Sequence, residues 1–420
     1  MIFDVREYGA VADGRTLNTA AIQKAVDECV KKGGGRVLIE GGIFLCGSIS
    51  LGNNVELYIA AGTVLLGSPN CEDYPERKEM KHVDSEWLPR RQNTALIVAD
   101  ECENVSICGQ GKIDCNGDKF VYYFGEKGWK YRRIQKPTPP RAIFFAGCKN
   151  VLVENITIEN LPAGWTCWVH DCDFVHFDKV TITANVDYPN NDGIHINCSR
   201  NVTVSNCNIV CGDDCIIVRA NSVSLKENKV CERVCVTNCN LTSYSAGIRI
   251  GWINDGVIRN CVFSNLVMTD TSVGVSCLIP DWVNRENGDT DVGREETVVE
   301  NLSFDNIVMQ GICGAPIRVE LGAKEHVKIA AVRNLYFSNI FANGASFFMF
   351  QGREENAIEN VRLRNCEFVV TSGKEIPNIE AHGAICGIFR EPVIRFVKGL
   401  QLDGVSFTTK EETNVREESI

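Results

Sequence analysis

Three absences limit what this 420-residue chain can be. No apolar run approaches the roughly 20 residues a membrane helix needs. The opening Met1-Ile2-Phe3-Asp4-Val5 has neither a basic start nor an apolar h-region, so no secretory leader is expected. No Cys-x-x-Cys occurs, although there are 21 cysteines, and the runs Cys211-x3-Cys215 and Cys231-x3-Cys235-x3-Cys239 lack histidine partners at zinc-like spacing. An odd number of thiols in a long chain without a leader argues against a disulfide framework and for a reducing cytoplasm. Basic residues are also in deficit. The formal net charge of −11 excludes a nucleic acid or an anionic membrane as the expected partner.

What is present is periodic. The dipeptide Asn-Cys recurs at Cys198, Cys207, Cys239, Cys261 and Cys366, which suits small thiols filling equivalent interior positions of a repeat. A second phrase returns as Asn54-Val55-Glu56-Leu57, Asn104-Val105-Ser106-Ile107, Asn150-Val151-Leu152-Val153 and Asn201-Val202-Thr203-Val204. Looser copies follow at Arg233, Asn301, Asn334 and Asn360. Short strands bounded by glycine and asparagine, repeating without helices between them, predict an all-β solenoid, the parallel β-helix. Asn104 to Asn150 is 46 residues, read as two coils of 23, and Asn334 to Asn360 is 26, read as one.

The chain is read as one domain. Residues 1–35 hold a short strand and an amphipathic helix capped by Asn18, with Ala21, Ile22, Ala25, Val26, Cys29 and Val30 on one face and Gly33-Gly34-Gly35 as its stop. That helix is expected to cover the open edge of the first coil. Residues 36–407 form the coils and 408–420 a charged, mobile tail. Three stretches break the repeat, at about 68–93, 117–141 and 280–296. They carry Tyr74, Trp87, Arg90 and Arg91; Trp129, Tyr131, Arg132, Arg133 and Arg141; and Asp281, Trp282 and Arg285. Insertions leave a solenoid at its turns and can wall a groove, and rings beside arginines suit sugar faces and carboxylates.

Two acidic motifs stand out: Asn190-Asn191-Asp192-Gly193-Ile194-His195-Ile196 and Gly212-Asp213-Asp214-Cys215-Ile216. Asp192 and Asp213 are 21 residues apart. With coils of roughly 20 to 30 residues they fall at equivalent points of successive coils, about 4.8 Å apart along the stack. Three such acids can protonate a leaving oxygen and hold a water, as inverting hydrolysis of a glycosidic bond requires. Ordinary turn chemistry, with the carboxylates bonded to their own backbone, is the competing reading.

Together with Tyr8-Gly9-Ala10-Val11-Ala12-Asp13-Gly14 and Pro140-Arg141-Ala142-Ile143-Phe144-Phe145, these motifs resemble glycoside hydrolase family 28, the polygalacturonases and their relatives. The resemblance implies a right-handed parallel β-helix and inverting hydrolysis without a metal or other cofactor, usually of galacturonosyl linkages in pectin. It further implies Asp213 as general acid, Asp192 and Asp214 as the pair that activates water, and Asn190 as the motif asparagine. Three positions depart from the family pattern. His195 stands where aspartate is common, Ala246 replaces the histidine of a Gly-His-Gly phrase, and Ser276-Cys277-Leu278 replaces the Arg-Ile-Lys that grips a uronate carboxylate. Either the leaving sugar is neutral or its charge is met elsewhere, with Arg219 and Arg249 as candidates. His195, Trp165 and His170 are further candidates for the substrate site, Trp165 lying in a Pro162-x2-Trp165 phrase that also resembles the family.

The function expected from these residues is an exo-acting inverting glycosidase working in the cytoplasm on imported oligosaccharides, uronic or neutral. The sequence leaves the oligomeric state open. Two rival readings share the fold: a carbohydrate-binding β-helix without turnover, and a polysaccharide lyase using calcium held by clustered acids.

Overall fold

A computed structural model describes residues 1–77, 79–88, 94–125, 130–134, 139–162, 164–253, 255–280, 296–322, 328–371 and 388–410. Asp281, Trp282 and Arg285 of the third insertion lie outside the described residues, as do Arg90, Arg91 and Trp129. The chain winds as a parallel β-helix. Among the described residues the coil strands form an 11-stranded and a 21-stranded sheet, in which successive coils pair in parallel. The interior is a single continuous apolar core.

The recurring asparagine explains the coil. Asn54, Asn104, Asn150, Asn201, Asn260, Asn301, Asn334 and Asn360 all have φ between 53° and 61°. They occupy the left-handed region, which asparagine tolerates better than any residue except glycine. At each the strand turns a corner without a loop. The strand Thr297–Ile312 does so twice, at Asn301 and Asn306, so two faces of the coil merge into one bent sheet. Side-chain amides stack from coil to coil, Asn104 Nδ2 donating to Asn54 Oδ1 at 2.7 Å, Asn150 to Asn104 at 3.0 Å and Asn334 to Asn301 at 2.8 Å. Phe174 and Arg233 hold the same bend, at φ 55°, without that amide.

The register corrects one spacing. Val105 pairs directly with Val151, so the 46 residues from Asn104 to Asn150 are one enlarged coil, not two. The excess contains an antiparallel hairpin, Val121–Tyr123 with Tyr131–Arg133. Leu335 pairs with Val361, as a 26-residue coil requires. Inside, Phe263, Phe304 and Phe337 stack with ring centroids 4.9 and 4.8 Å apart. Among the described residues every cysteine is a free thiol, and all but Cys71 and Cys235 are buried. Cys366 shares its interior column with Ile340 and Val405, which shows thiols and branched aliphatic side chains filling one kind of site.

The helix Thr19–Lys31 buries Ile22, Ala25, Val26 and Cys29 and lies against the first strands of the chain, while Val30 is exposed. Asn18 precedes it but makes no side-chain cap. Its amide instead ties the preceding turn together, accepting from Val11 N at 2.7 Å and donating to Thr16 O at 2.7 Å. At the other end, the strand Gln401–Lys410 continues pairing past Phe407, with Lys410 opposite Thr371.

Candidate active site

The 11-stranded sheet presents its outward face as columns of residues one coil apart. One column runs Trp168, His195, Ile217, Arg249, Ser276 and Arg318. Their neighbours in the strands, such as Ile194, Ile196, Ile248 and Ile317, point into the core. Side chains alternate along a strand, so this column faces away from it.

The acids stand at the head of this face. In register, the partner of Asp192 in the next coil is Asp214, because Ile194 pairs with Ile216 and Gly193 N donates to Asp214 O at 2.9 Å. Asp213 lies one residue earlier, so the expected equivalence of Asp192 with Asp213 is off by one position. Two glycines make the turn possible. A Cβ on Gly193 would sit 2.3 Å from Cys215 O, and one on Gly212 2.3 Å from Tyr188 O. Asn191, which sequence reasoning gave no role, bridges the two motifs by accepting from Gly212 N at 2.7 Å and donating to Asn185 O at 3.0 Å.

Each carboxylate has its own support. Asn190 donates to Asp213 Oδ2 at 3.0 Å, and Asp214 N donates to Asp213 Oδ1 at 3.1 Å. Asp214 Oδ1 accepts from Ser245 Oγ at 2.7 Å and from Ala246 N at 3.0 Å, while Arg249 Nε stands 3.4 Å from Oδ2. Asp192 is buried, with Oδ2 3.9 Å from His195 Nδ1. Asp213 is thus held by Asn190, Asp192 stands beside His195 and Asp214 beside Arg249, and the two motifs meet one residue off the register that their spacing predicts. Ser245 was not foreseen. Its only sequence signal is its place beside Ala246, one coil past Asp214.

Aromatic rings build one side. Trp165, half-buried, stacks on His195 with centroids 3.9 Å apart and lies edge-on to Trp168. Beneath them the buried guanidinium of Arg141 sits 4.6 Å from the Trp165 ring and 4.5 Å from that of Trp168. Arg141 is therefore the first residue of the strand Arg141–Ala146 and supports the ring stack from below, where an insertion side chain was expected.

The chain belongs to glycosyl hydrolases family 28. The family model matches residues 84–383, which include both acidic motifs. A probable polygalacturonase of Vitis vinifera is 28% identical over 282 residues, covering 64% of this chain and 55% of its own length. The exo-poly-alpha-D-galacturonosidase of Dickeya chrysanthemi is 27% identical over 252 residues, covering 51% of this chain and 41% of its own. The chain thus spans about half the length of these relatives or less. Among solved structures, the exopolygalacturonase of Thermotoga maritima superposes with a TM-score of 0.72 at 20% identity, covering 97% of this chain and 92% of that one. That likeness shows a shared fold.

Against the family 28 pattern, two candidate residues are placed elsewhere. Arg219 ends its strand with its guanidinium on Asp255, Nε to Oδ2 2.6 Å and Nη2 to Oδ1 2.7 Å, and Asp255 is fully buried. Fixed bidentate to a buried acid, it serves the scaffold in place of the expected sugar contact. His170 is fully buried, accepting from Asn197 Nδ2 at 2.6 Å and contacting Ser224 Oγ at 2.8 Å. The Asn197 amide is oriented by its bonds to Asn221 N and Asn221 O, so His170 Nδ1 is the acceptor and Nε2 carries the proton. Burial pushes its pKa down to about 3, which keeps it neutral. Arg219 ends the strand Ile216–Arg219, at the opposite end from Asp214, and His170 ends the strand Cys167–His170 in the coil before Asp192.

The first insertion closes the outward face on one side. Val83 and Leu88, with Met80 beside them, pack onto Val98, Phe144, Trp168 and Leu225 in a separate apolar cluster. The segment is fastened by Lys81 N to Asp100 Oδ2 at 2.7 Å and by His82 Nε2 to Asp171 Oδ2 at 2.9 Å. The face is therefore covered above Trp168 and continues from His195 toward Arg318.

Proposed function

We propose that this protein is an exo-acting, inverting glycoside hydrolase that releases a terminal galacturonosyl residue from oligosaccharides. The observation that carries the reading is the gathering of Asp192, Asp213 and Asp214 at one edge of a face that is sealed beyond Trp168. A sealed end admits a chain terminus and excludes a polymer threading through. Family membership supports a galacturonosyl substrate.

In this reading Asp213 gives its proton to the leaving oxygen. Asn190 and Asp214 N hold its carboxyl group in place. Asp192 and Asp214 hold the attacking water, and Ser245, Ala246 N and Arg249 fix Asp214 for that task. Trp165, stacked on His195, offers a ring face to the sugar. A cytoplasmic site of action on imported oligosaccharides completes the proposal.

The test is release of galacturonic acid from oligogalacturonides by the purified chain, with NMR of the first anomer formed. Asp213→Asn, Asp192→Asn and Asp214→Asn should each lower kcat by at least about 100-fold. Full activity in Asp213→Asn would remove the proposed acid, and tight glycan binding without product would favour a binding protein.

A further inference from the structure

Resting on the exo-acting reading above, we propose that His82 determines that specificity: as an imidazolium it clasps the first insertion over the face beyond Trp168, and on losing its proton it loosens that cover. The clasp is built into one corner of the coil. Glu101, Gly147 and Asp171 follow Asp100, Ala146 and His170, which pair in register in successive coils. All three hold the left-handed bend, at φ 54°, 62° and 49°. They make a column with a carboxylate in the coils to either side and no side chain between. The His82 ring fills that gap, with Nδ1 3.4 Å from Glu101 Oε1 and Nε2 2.9 Å from Asp171 Oδ2. A Cβ on Gly147 would stand 2.3 Å from Nδ1, so only glycine leaves room for the imidazole.

Those two contacts select the protonated ring. An ionised carboxylate only accepts, and a neutral imidazole has one N–H and one lone pair, so the neutral ring satisfies one acid and turns a lone pair toward the other. The imidazolium donates to both, with charge assistance. The bond to Asp171 raises the His82 pKa, and the contact with Glu101 adds to it. The other charges nearby are divided. Asp100 accepts from His82 N at 3.2 Å and from Lys81 N, and Asp84 lies exposed on the insertion itself. Arg200 Nη1 reaches the second oxygen of Asp171 at 3.1 Å, while Lys229 Nζ, paired with Glu227, lies 3.8 Å from the oxygen that His82 contacts. His170, the strand neighbour of Asp171, is held neutral by burial.

The remaining fastenings do not titrate with the ring. Asp84 N donates to Ser224 O at 2.8 Å, and Val83 and Leu88 pack in the cluster around Trp168. Deprotonation therefore raises the fraction of molecules with the segment lifted, without releasing it outright. A lifted segment uncovers Trp168 and lets a glycan run past the terminal position, so cleavage within the chain joins release of the end residue.

Amide hydrogen exchange of residues 79–88, corrected for intrinsic rates, reads the clasp on the chain alone. Protection should be complete below about pH 6.5 and fall several-fold as pH rises through the His82 titration. The strand Val257–Thr269 should keep its protection throughout. His82→Gln should lack this pH dependence, and Glu101→Gln, which removes one acceptor, should move its midpoint to lower pH. With polygalacturonate at about pH 6, His82→Gln should release di- and trigalacturonate early, where the wild type releases the monomer. Wild-type protection that does not change with pH, or a midpoint that Glu101→Gln leaves in place, overturns the clasp. Monomer-only release by a His82→Gln variant whose segment has loosened overturns its role in specificity and leaves the hydrolase intact. Cleavage by neither protein overturns the hydrolase reading, and exchange still decides the clasp.

Discussion

Arg249 reaches across one coil to Asp214, its Nε 3.4 Å from Oδ2, with the side chain largely buried. The pairing explains why an arginine outside the family motif stands in this column. It supplies positive charge beside a carboxylate that two neighbouring acids would otherwise crowd, and it fixes one oxygen while Ser245 and Ala246 N fix the other.

Removing that guanidinium should therefore impair turnover. Arg249→Gln is expected to lower kcat/KM by about 10- to 100-fold, the worth of a charge-assisted hydrogen bond. Kinetics on the preferred glycan, beside an unchanged circular dichroism spectrum, measure this. Wild-type kcat/KM in the variant would place Asp214's support elsewhere.

Arg219 and Asp255 should behave differently. Breaking a buried pair by removing one partner costs about 3–5 kcal/mol, because a charge is left without its counterpart. Arg219→Met and Asp255→Asn are each expected to lower the denaturation midpoint sharply, while the folded fraction at low temperature keeps its kcat/KM. A variant of undiminished stability with a raised KM would return Arg219 to the substrate site.

His170 ties stability to pH. Its folded pKa, pushed down to about 3 by burial, lies below the value of about 6.5 in the unfolded chain. Between those values the unfolded chain binds a proton that the native imidazole refuses, so stability falls as pH drops through this window, by up to about 1.4 kcal/mol per pH unit. His82 works in the opposite sense. Its hydrogen bond to Asp171 raises its folded pKa, so its contribution is complete below pH about 6.5 and is lost as pH rises through the folded value. Denaturant midpoints measured from pH 7 to pH 4 should decline less steeply in His170→Gln than in wild type. Parallel declines would contradict a neutral buried imidazole.

Phe174 occupies a left-handed bend that most coils give to asparagine, at φ 55°, and its side chain is half exposed. Phe174→Asn should stabilise the protein by about 1 kcal/mol, since asparagine's short polar side chain bonds locally in the left-handed region and little burial is lost. Chemical denaturation decides it, and a lower midpoint would mean the exposed ring makes a contact worth more than the strain.

The solenoid was legible because its signal is local. Asn54, Asn104 and Asn150 announce a corner wherever they occur, since the left-handed conformation is a property of the residue and its own backbone. The acidic motifs were legible for the same reason, Gly193 and Gly212 being demanded by backbone passing close beside them. Spacing was a weaker guide. The 46 residues from Asn104 to Asn150 read as two coils because a hairpin adds length without adding a turn of the helix, and Asp192 missed its true counterpart, Asp214, by one residue.

By itself, then, the sequence determined the coil and its asparagine corners and put the two acidic motifs on successive coils, all of which follow from short-range preferences repeated along the chain. Only the tertiary structure decided which charge each arginine answers to. Arg219 found Asp255, Arg249 found Asp214 and Arg318 found Glu320. The first two choices depend on register between coils of unequal length, and the third on which face of its strand is turned outward. Strand separation is constant while loop length is not, so distance along the chain carries no measure of distance between side chains one coil apart.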